Sequence, residues 1–370
     1  MNSASLRLVL VSTPIGYLGS GGGGGVELTL MSLVQGLLAR GHQLTVVAPQ
    51  GSVLPRGCGG VRLVQVPGAD QPSWQHADPQ DPVTMPWDGV LPRLWEQALL
   101  EAGSVDGVIN FAYDWLPLWL TSRVSARLFH LVSMGNVARV VQAAIADVAH
   151  WDQRRLAFHT HRQANDFGLP EPPVVVGNGF DLSVYRLRTS RSGPLGWAGR
   201  VAPEKGLEDA AAVAAALQEQ LYVWGMITDQ GYAAAVEATV PPGTIQWRGF
   251  LPTDQLQGEL GECRALLNTP KWNEAYGNVI VEAMACGVPV IAYDRGGPGE
   301  IVQSGLTGWL VSPDDIEAMA AATTRVPEID RLACRRWVEH SASKEVFAER
   351  VEDWIFSGLG GRDATITATF

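Results

Sequence analysis

The chain has 370 residues, which at roughly 150 residues per domain suggests two domains with a core each. Hydrophobic residues make up 46% and charged residues 18%, so long disordered segments are not expected. The net charge of -11 argues against sequence-independent binding to nucleic acid or to an anionic lipid surface.

The cysteines and the apolar runs favour a cytoplasmic protein. Cys58, Cys263, Cys286 and Cys334 lack CxxC and His/Cys spacing, so neither a disulfide framework nor a zinc site is indicated. The apolar run 6–11 is too short for a signal peptide, and no run reaches the roughly 18 residues of a membrane span. We therefore expect a cytoplasmic location and no metal.

The first half of the chain predicts alternating parallel strands and helices. Residues 6–12 are apolar without polar alternation, as in a buried parallel strand, and a glycine-rich loop follows over 13–25. Apolar residues at helical spacing then predict a helix that ends at Gly41, before a strand over 44–48. Further strands are predicted over 107–110, 126–132 and 174–176. The Pro- and Asp-rich residues 68–91 predict a long loop.

The same alternation restarts in the second half. Strands are predicted over 195–198, 221–224, 245–250, 265–268 and 288–293, and helices over 207–219, 278–286 and from about 314. We predict domains over 1–181 and 182–345, then a C-terminal helix returning toward the first domain and a flexible tail over 346–370. The fold class is α/β, with two doubly wound Rossmann-like domains facing a ligand cleft.

A run of glycines over 19–25, including Gly22 and Gly23, lies between the first strand and the first helix. Glycines let backbone amides approach an anion, and a helix N-terminus adds partial positive charge. The Lys-Ser/Thr ending of a P-loop is missing, so the run indicates anion or polar-ligand binding without fixing the ligand. Glu27 either complements the helix dipole or contributes to a binding site.

Two cations, Arg200 and Lys205, flank a turn after the strand 195–198. A guanidinium fork and an ammonium point charge suit a diphosphate, and the alternative is a solvated pair on a surface turn. Glu274 and Glu282 lie eight residues apart, hence up to about 12 Å apart along a helix, on the scale of a nucleotide-sugar. Helix capping and a surface position are their alternative roles.

These motifs resemble the retaining family 4 glycosyltransferases of GT-B architecture. The resemblance is carried by Glu274, Tyr276-Gly277-Asn278 and Glu282, followed by AMACGVPV at 283–290 and GGPGEIV at 296–302. The glycine loop 22–27, NGFD at 178–181, GRVAPEKG at 199–206 and GWLV at 308–311 also match, in the expected order.

The resemblance implies that Arg200 and Lys205 bind the diphosphate, Glu282 the ribose and Glu274 the transferred hexose. Arg200, Lys205 and Glu274 are its catalytic candidates. Its donor site comprises Gly22, Gly23, His130, Arg200, Lys205, Glu274, Tyr276, Gly277, Asn278, Val279 and Glu282. The residues after His130 depart from the family pattern, so a structural role for this histidine stays open.

Within that family the chain is most similar to the cyanobacterial type that transfers glucose from UDP-glucose to tetrahydrobiopterin. STPIG at 12–16, NFAYDWLPL at 110–118, SMG at 133–135 and TPKW at 269–272 support this. Tyr113 and Asp114, with Glu27, form the predicted acceptor site, because aromatic surfaces and a carboxylate suit a pterin ring. The alternative for the aromatic residues is core packing, and Trp74 and Trp87 are candidates for an acceptor lid.

No Asp-x-Asp pair occurs in the sequence, so the carboxylate clamp that holds a metal-diphosphate in many glycosyltransferases is missing. We expect a metal-independent enzyme without a cofactor, which takes UDP-glucose as donor substrate. An NAD-dependent oxidoreductase is disfavoured because the strand 44–48 ends in Pro49-Gln50 rather than an acidic residue. A non-catalytic nucleotide-sugar-binding protein, or a family 4 enzyme acting on another sugar or a lipid, remains the alternative.

Overall fold

The computed structural model describes residues 5–21, 24–74 and 80–360. The chain divides into two compact units, the first formed by residues 1–179 with 344–370 and the second by residues 180–343. No helix in the described ranges combines the length and apolar composition needed to cross a membrane.

The first unit is built on a parallel sheet. Its strands are β1 (Arg7–Val11), β2 (Gln43–Pro49), β3 (Arg62–Val66), β4 (Gly107–Asn110), β5 (Leu128–Val132) and β6 (Leu156–Phe158). Its helices before the second unit are α1 (Gly24–Ala39), α2 (Val90–Ala102), α3 (Trp115–Leu120), α4 (Arg139–Asp152) and α5 (His161–Asn165). Among the described residues the six strands run in the order β3-β2-β1-β4-β5-β6.

Alternate side chains of β1 are buried on opposite faces of this sheet. Leu8 and Leu10 pack in one apolar cluster with residues of α1, and Val9 and Val11 pack in another with residues of α2. A strand covered on both faces has no polar alternation, which is why its apolar run predicted it correctly.

The predicted strand over 174–176 is wrong as a regular strand. Val175 forms only an isolated parallel bridge to Phe158, the last residue of β6. Pro172 and Pro173 precede it and supply no N–H donors, and Gly177 follows with a left-handed φ of 70°. The backbone therefore pairs with β6 at one residue and turns away.

The second unit repeats the architecture. Its strands are β7 (Leu195–Ala198), β8 (Leu221–Trp224), β9 (Ile245–Gly249), β10 (Ala265–Asn268), β11 (Val290–Tyr293) and β12 (Gly308–Val311). Its helices are α6 (Leu207–Ala216), α7 (Gln230–Ala238), α8 (Thr253–Gly261), α9 (Asn278–Ala285), α10 (Pro298–Ile301), α11 (Ile316–Thr324) and α12 (Arg331–Ser341). Its six strands are parallel in the order β12-β11-β10-β7-β8-β9, counted over the part of the unit that is described. The prediction of two doubly wound parallel sheets is confirmed.

The last described helix, α13 (Lys344–Leu359), packs on α1 in the first unit. The two helices touch at Gly36, where a Cβ would lie 2.5 Å from the carbonyl oxygen of Lys344. The guanidinium Nε of Arg40 donates to Glu352 at 2.7 Å, and the His42 ring nitrogen Nε2 lies 3.2 Å from the same carboxylate. A glycine contact and a buried carboxylate thus bind α13 to the N-terminal residues.

Candidate active site

Arg200 and Lys205 occupy a tight turn that follows β7. Arg200 forms an ion pair with Glu204, and Lys205 ends a short 3-10 turn. Gly206 follows in the left-handed region at φ 66°, and a Cβ on it would lie 2.0 Å from the Thr269 carbonyl oxygen. Only glycine fits this position, and its close approach sets the cationic turn against the end of β10.

Lys205 contacts Glu274, which lies in the loop between β10 and α9. The ammonium Nζ is 2.5 Å from Glu274 Oε2, and the indole N–H of Trp272 donates to the same oxygen at 3.1 Å. Burial raises the pKa of Glu274, but the charge of Lys205 and the hydrogen bonds from Lys205 and Trp272 outweigh it, so the pKa lies below its usual value. Glu274 is therefore a carboxylate held beside a cation.

The loop that carries Glu274 rests on a turn of two glycines. The backbone N–H of Gly297 donates to the Glu274 carbonyl oxygen at 2.7 Å. A Cβ on Gly296 would lie 2.5 Å from that oxygen, and one on Gly297 would lie 2.5 Å from the carbonyl oxygen of Tyr276. The Gly-Gly pair thus permits a backbone contact that fixes the position of the carboxylate.

Helix α9 begins directly after this loop and places Glu282 in the interior. Gly277 caps the helix with φ 100°, so Asn278 and Val279 form its first turn. The Glu282 side chain accepts a hydrogen bond from the Tyr185 hydroxyl at 3.1 Å. Burial raises the pKa of Glu282 to about 7, against the lowering effect of Tyr185. The surface alternative for Glu282 is wrong, because the residue is 6% exposed.

The carboxyl ends of neighbouring strands bring these residues together. Strands β7 and β10 are adjacent in the sheet, and the turn after β7 and the loop after β10 supply Lys205 and Glu274. This edge of an open α/β sheet is where ligands bind. Two cations, a carboxylate and the amide end of α9 can bind an anion that carries a hydroxylated group.

Tyr113 and Asp114 follow β4 in the first unit, and Asp114 caps α3. Asp114 is 1% exposed, and its Oδ2 accepts the indole N–H of Trp74 at 3.1 Å. Burial raises the pKa of Asp114, although the Trp74 donor lowers it. Hydrogen bonding by the backbone N–H groups of Leu116 and Trp115 also lowers it. Burial also raises the pKa of Tyr113 to about 12.

His130 is buried in β5 with both ring nitrogens in hydrogen bonds. Asn110 Nδ2 lies 3.1 Å from Nδ1, and Thr121 Oγ1 lies 2.7 Å from Nε2. Because an amide nitrogen only donates, we assign the ring proton to Nε2. Burial lowers the pKa of His130 to about 3, so the ring is neutral. These contacts favour the structural role that the sequence left open.

The other predicted residues of the first unit lie around the glycine loop and the long loop after β3. Glu27 is buried in α1, and its Oε1 accepts the backbone N–H of Gly19. Gly22 and Gly23 lie outside the described residues. Trp74 is buried, whereas Trp87 is 95% exposed.

Sequence reasoning gave no role to three residues that hold the predicted site residues in place. Trp272 contacts Glu274 two residues away, and Glu204 contacts Arg200 four residues away. Their closeness in sequence to the predicted site residues could have identified them. Tyr185 is 97 residues from Glu282, and nothing in the sequence links the two.

Comparisons with known proteins match part of this chain to a family model and a larger part to individual relatives. Residues 193–328 match the family described as Glycosyl transferases group 1. The chain is 28% identical over 358 residues to a GDP-mannose-dependent alpha-mannosyltransferase of Mycolicibacterium smegmatis, covering 88% of this chain and 89% of that protein. It is 32% identical over 229 residues to the 2-deoxystreptamine glucosyltransferase of Streptomyces kanamyceticus, covering 54% of this chain and 59% of the relative.

Other matches cover less of the relative or show the fold alone. A sucrose synthase of Acidithiobacillus caldus is 32% identical over 35% of this chain, and the match covers 16% of that enzyme. AviGT4, a glycosyltransferase involved in avilamycin A biosynthesis, superposes with a TM-score of 0.73 at 19% identity over 96% of this chain and 99% of its own. The structure of Anabaena HepE in complex with UDP and glucose superposes with a TM-score of 0.69 at 17% identity, over 95% of this chain and 100% of that protein.

Proposed function

We propose that this chain, whose residues 193–328 match the glycosyl transferases group 1 family and whose fold is GT-B, transfers glucose from UDP-glucose to a small hydroxylated acceptor. One observation carries the proposal: the Lys205 ammonium and the Glu274 carboxylate meet where β7 and β10 end, beside the amide end of α9. A glucosyltransferase relative and a similarly folded protein bound to UDP and glucose favour this donor.

For the acceptor we propose tetrahydrobiopterin, with retention of the anomeric configuration. Both come from the sequence resemblance. The support is the carboxylate of Asp114, a group that accepts N–H donors such as those of a pterin ring. Tyr113 adds an aromatic surface beside it.

The proposed mechanism stabilises a leaving diphosphate with fixed positive charge. Arg200 and Lys205 bind the diphosphate, and the amides of Asn278 and Val279 face negative charge at the start of α9. Glu274 accepts hydrogen bonds from hexose hydroxyls, and Glu282 from the ribose diol. As the bond between the anomeric carbon and the leaving phosphate oxygen breaks, the acceptor oxygen bonds to that carbon on the same face of the sugar. The acceptor hydroxyl gives its proton to the leaving phosphate oxygen.

A donor and acceptor screen tests the activity. UDP-glucose, UDP-galactose and UDP-N-acetylglucosamine are combined with tetrahydrobiopterin or with simple sugars, and UDP release is measured. We expect the highest rate with UDP-glucose and tetrahydrobiopterin. UDP binding without acceptor-dependent release would indicate a non-catalytic nucleotide-sugar-binding protein, and release with another acceptor alone would overturn the pterin assignment.

The configuration of the product distinguishes front-face transfer from inversion by an acceptor-side base. Because the incoming hydroxyl and the leaving phosphate share one face, α-configured UDP-glucose is expected to give an α-glucoside. Proton NMR of freshly formed product measures the anomeric coupling, and the donor signal in the same spectrum is the control. A β-glucoside would contradict the proposed mechanism and would point to a base such as Asp114.

We expect full activity in excess chelator. Side-chain cations and helix amides, rather than a metal ion, are proposed to neutralise the diphosphate, so removing divalent ions leaves the stabilising groups in place. Initial rates are compared with and without EDTA, and after magnesium is added back. A complete loss of activity that magnesium restores would refute metal independence.

A further inference from the structure

Trp272 contacts both charged groups of the proposed site. Its ring centroid is 4.8 Å from Lys205 Nζ, and its indole N–H donates to Glu274 Oε2 at 3.1 Å. Lys205 binds the same oxygen at 2.5 Å. In the described part of the chain both partners of Glu274 thus fall on Oε2, and Oε1 is the oxygen left for a ligand hydroxyl.

The backbone on either side of Trp272 is fixed by hydrogen bonds. Arg295 donates to the Pro270 carbonyl oxygen at 2.8 Å, and the Gly297 N–H donates to the Glu274 carbonyl oxygen at 2.7 Å. The indole is therefore presented from a segment anchored before and after it. It can hold Glu274 without depending on the position of the flexible Lys205 side chain.

A diphosphate competes with Glu274 for Lys205. Lysine is a point charge on a flexible stem, and a diphosphate, which carries two negative charges in a nucleotide-sugar, attracts it more strongly than one carboxylate does. When the ammonium turns toward the diphosphate, Glu274 loses its strongest partner. A carboxylate without a donor is free to rotate and no longer presents a fixed acceptor to the sugar.

We propose that Trp272 is a positioning residue that holds Glu274 Oε2 while Lys205 turns to the diphosphate, so that Oε1 stays in place for the hexose. This inference rests on the proposed function. Trp272 then contributes to recognition of the hexose, whereas Arg200 and Lys205 bind the UDP part of the donor.

The test removes the indole N–H and keeps an aromatic ring. In Trp272→Phe the kcat/KM for UDP-glucose is expected to fall about tenfold to hundredfold, the effect of a hydrogen bond to a charged group, while the Kd of UDP changes by less than about threefold. Trp247→Phe is the matched control, because its indole N–H donates to Glu237 at 3.2 Å on the exposed surface of the same unit. We expect wild-type kinetics for that control.

A double-mutant cycle shows whether Trp272 acts through Glu274. In the Glu274→Ala background, adding Trp272→Phe should change kcat/KM by less than about threefold, because the acceptor that the indole holds is gone. Trp272→His keeps a ring N–H and is expected to retain more activity than Trp272→Phe. Additive losses, a histidine variant no better than phenylalanine, or an equal loss of UDP affinity would each overturn the inference.

The wild-type protein separates this inference from the function on which it rests. If it transfers no sugar from any nucleotide-sugar, the proposed function fails and the role of Trp272 fails with it. If the wild type is active and Trp272→Phe matches it, only the positioning role fails. Thermal unfolding of each variant confirms that the comparison is made between folded proteins.

Discussion

Replacing Lys205 by alanine is expected to lower the rate of glucosyl transfer on the order of 10²-fold or more, because the variant loses a fixed cation at the leaving diphosphate. The loss should appear in kcat as well as in kcat/KM, since charge on the diphosphate increases as the glycosidic bond breaks. Steady-state kinetics with UDP-glucose, with UDP release as the readout, measure both.

The structure adds a second consequence that the motif alone did not indicate. Lys205 is the main cause of the lowered pKa of Glu274, and burial acts in the opposite direction. Without the ammonium the Glu274 pKa should rise. The remaining activity of Lys205→Ala should therefore be lost at a higher pH on acidification than the activity of the wild type, because the carboxyl group protonates earlier.

Arg325→Ala provides a charge-matched control for Lys205→Ala. Arg325 also forms an ion pair with a glutamate, at 2.9 Å from Glu328, but both side chains are about half exposed and lie after α11. Its removal should leave kcat/KM within about threefold of wild type, as expected for a surface ion pair. An unaffected rate in Lys205→Ala would remove the diphosphate assignment, and equal losses in both variants would indicate a general charge effect.

How well the sequence predicted the fold depended on how completely each strand is buried. Strands such as β1 and β4 lie inside the sheet and consist of apolar runs, so their positions were predicted to within one or two residues. Strand β3 was missed because it lies at the sheet edge and carries Arg62 and Gln65 among its apolar residues. Strand β6 was missed because it has only three residues.

The candidate site shows a similar division between local and distant information. Lys205 and Glu274 are 69 residues apart, and their meeting was implied by the family resemblance rather than by any local pattern. The packing of Gly296 and Gly297 against the Glu274 loop also required coordinates, because a backbone contact leaves no trace in the charge or periodicity of the chain. The raised pKa of Glu282 depends on its burial, and the sequence of the eight-residue helix α9 did not predict that burial.

Glu282→Gln is expected to stabilise the ligand-free protein at pH 8 and to weaken UDP binding. The pKa of Glu282 is about 7 in the folded protein, above the ordinary value of 4.5 that applies when unfolded. Between these values the unfolded chain has released its proton and the folded one keeps it, so this group makes stability fall as pH rises from 4.5 to 7. Above pH 7 the loss of folding stability caused by the ionised carboxylate reaches an upper limit of about 3 kcal/mol. A neutral glutamine avoids this loss.

The same substitution should reduce UDP affinity about tenfold to hundredfold at pH 8, because a carboxylate can accept hydrogen bonds from both ribose hydroxyls and an amide has one acceptor oxygen. Calorimetric unfolding of the full chain at pH 5 and pH 8, with titration of UDP at both values, measures the two effects. Glu259→Gln is the control: hydrogen bonding to Arg248 lowers the Glu259 pKa, so its replacement should not stabilise the protein at pH 8. If Glu282→Gln binds UDP as tightly as the wild type, Glu282 does not bind the ribose; if its stability advantage does not grow with pH, the carboxyl group is not held neutral by burial.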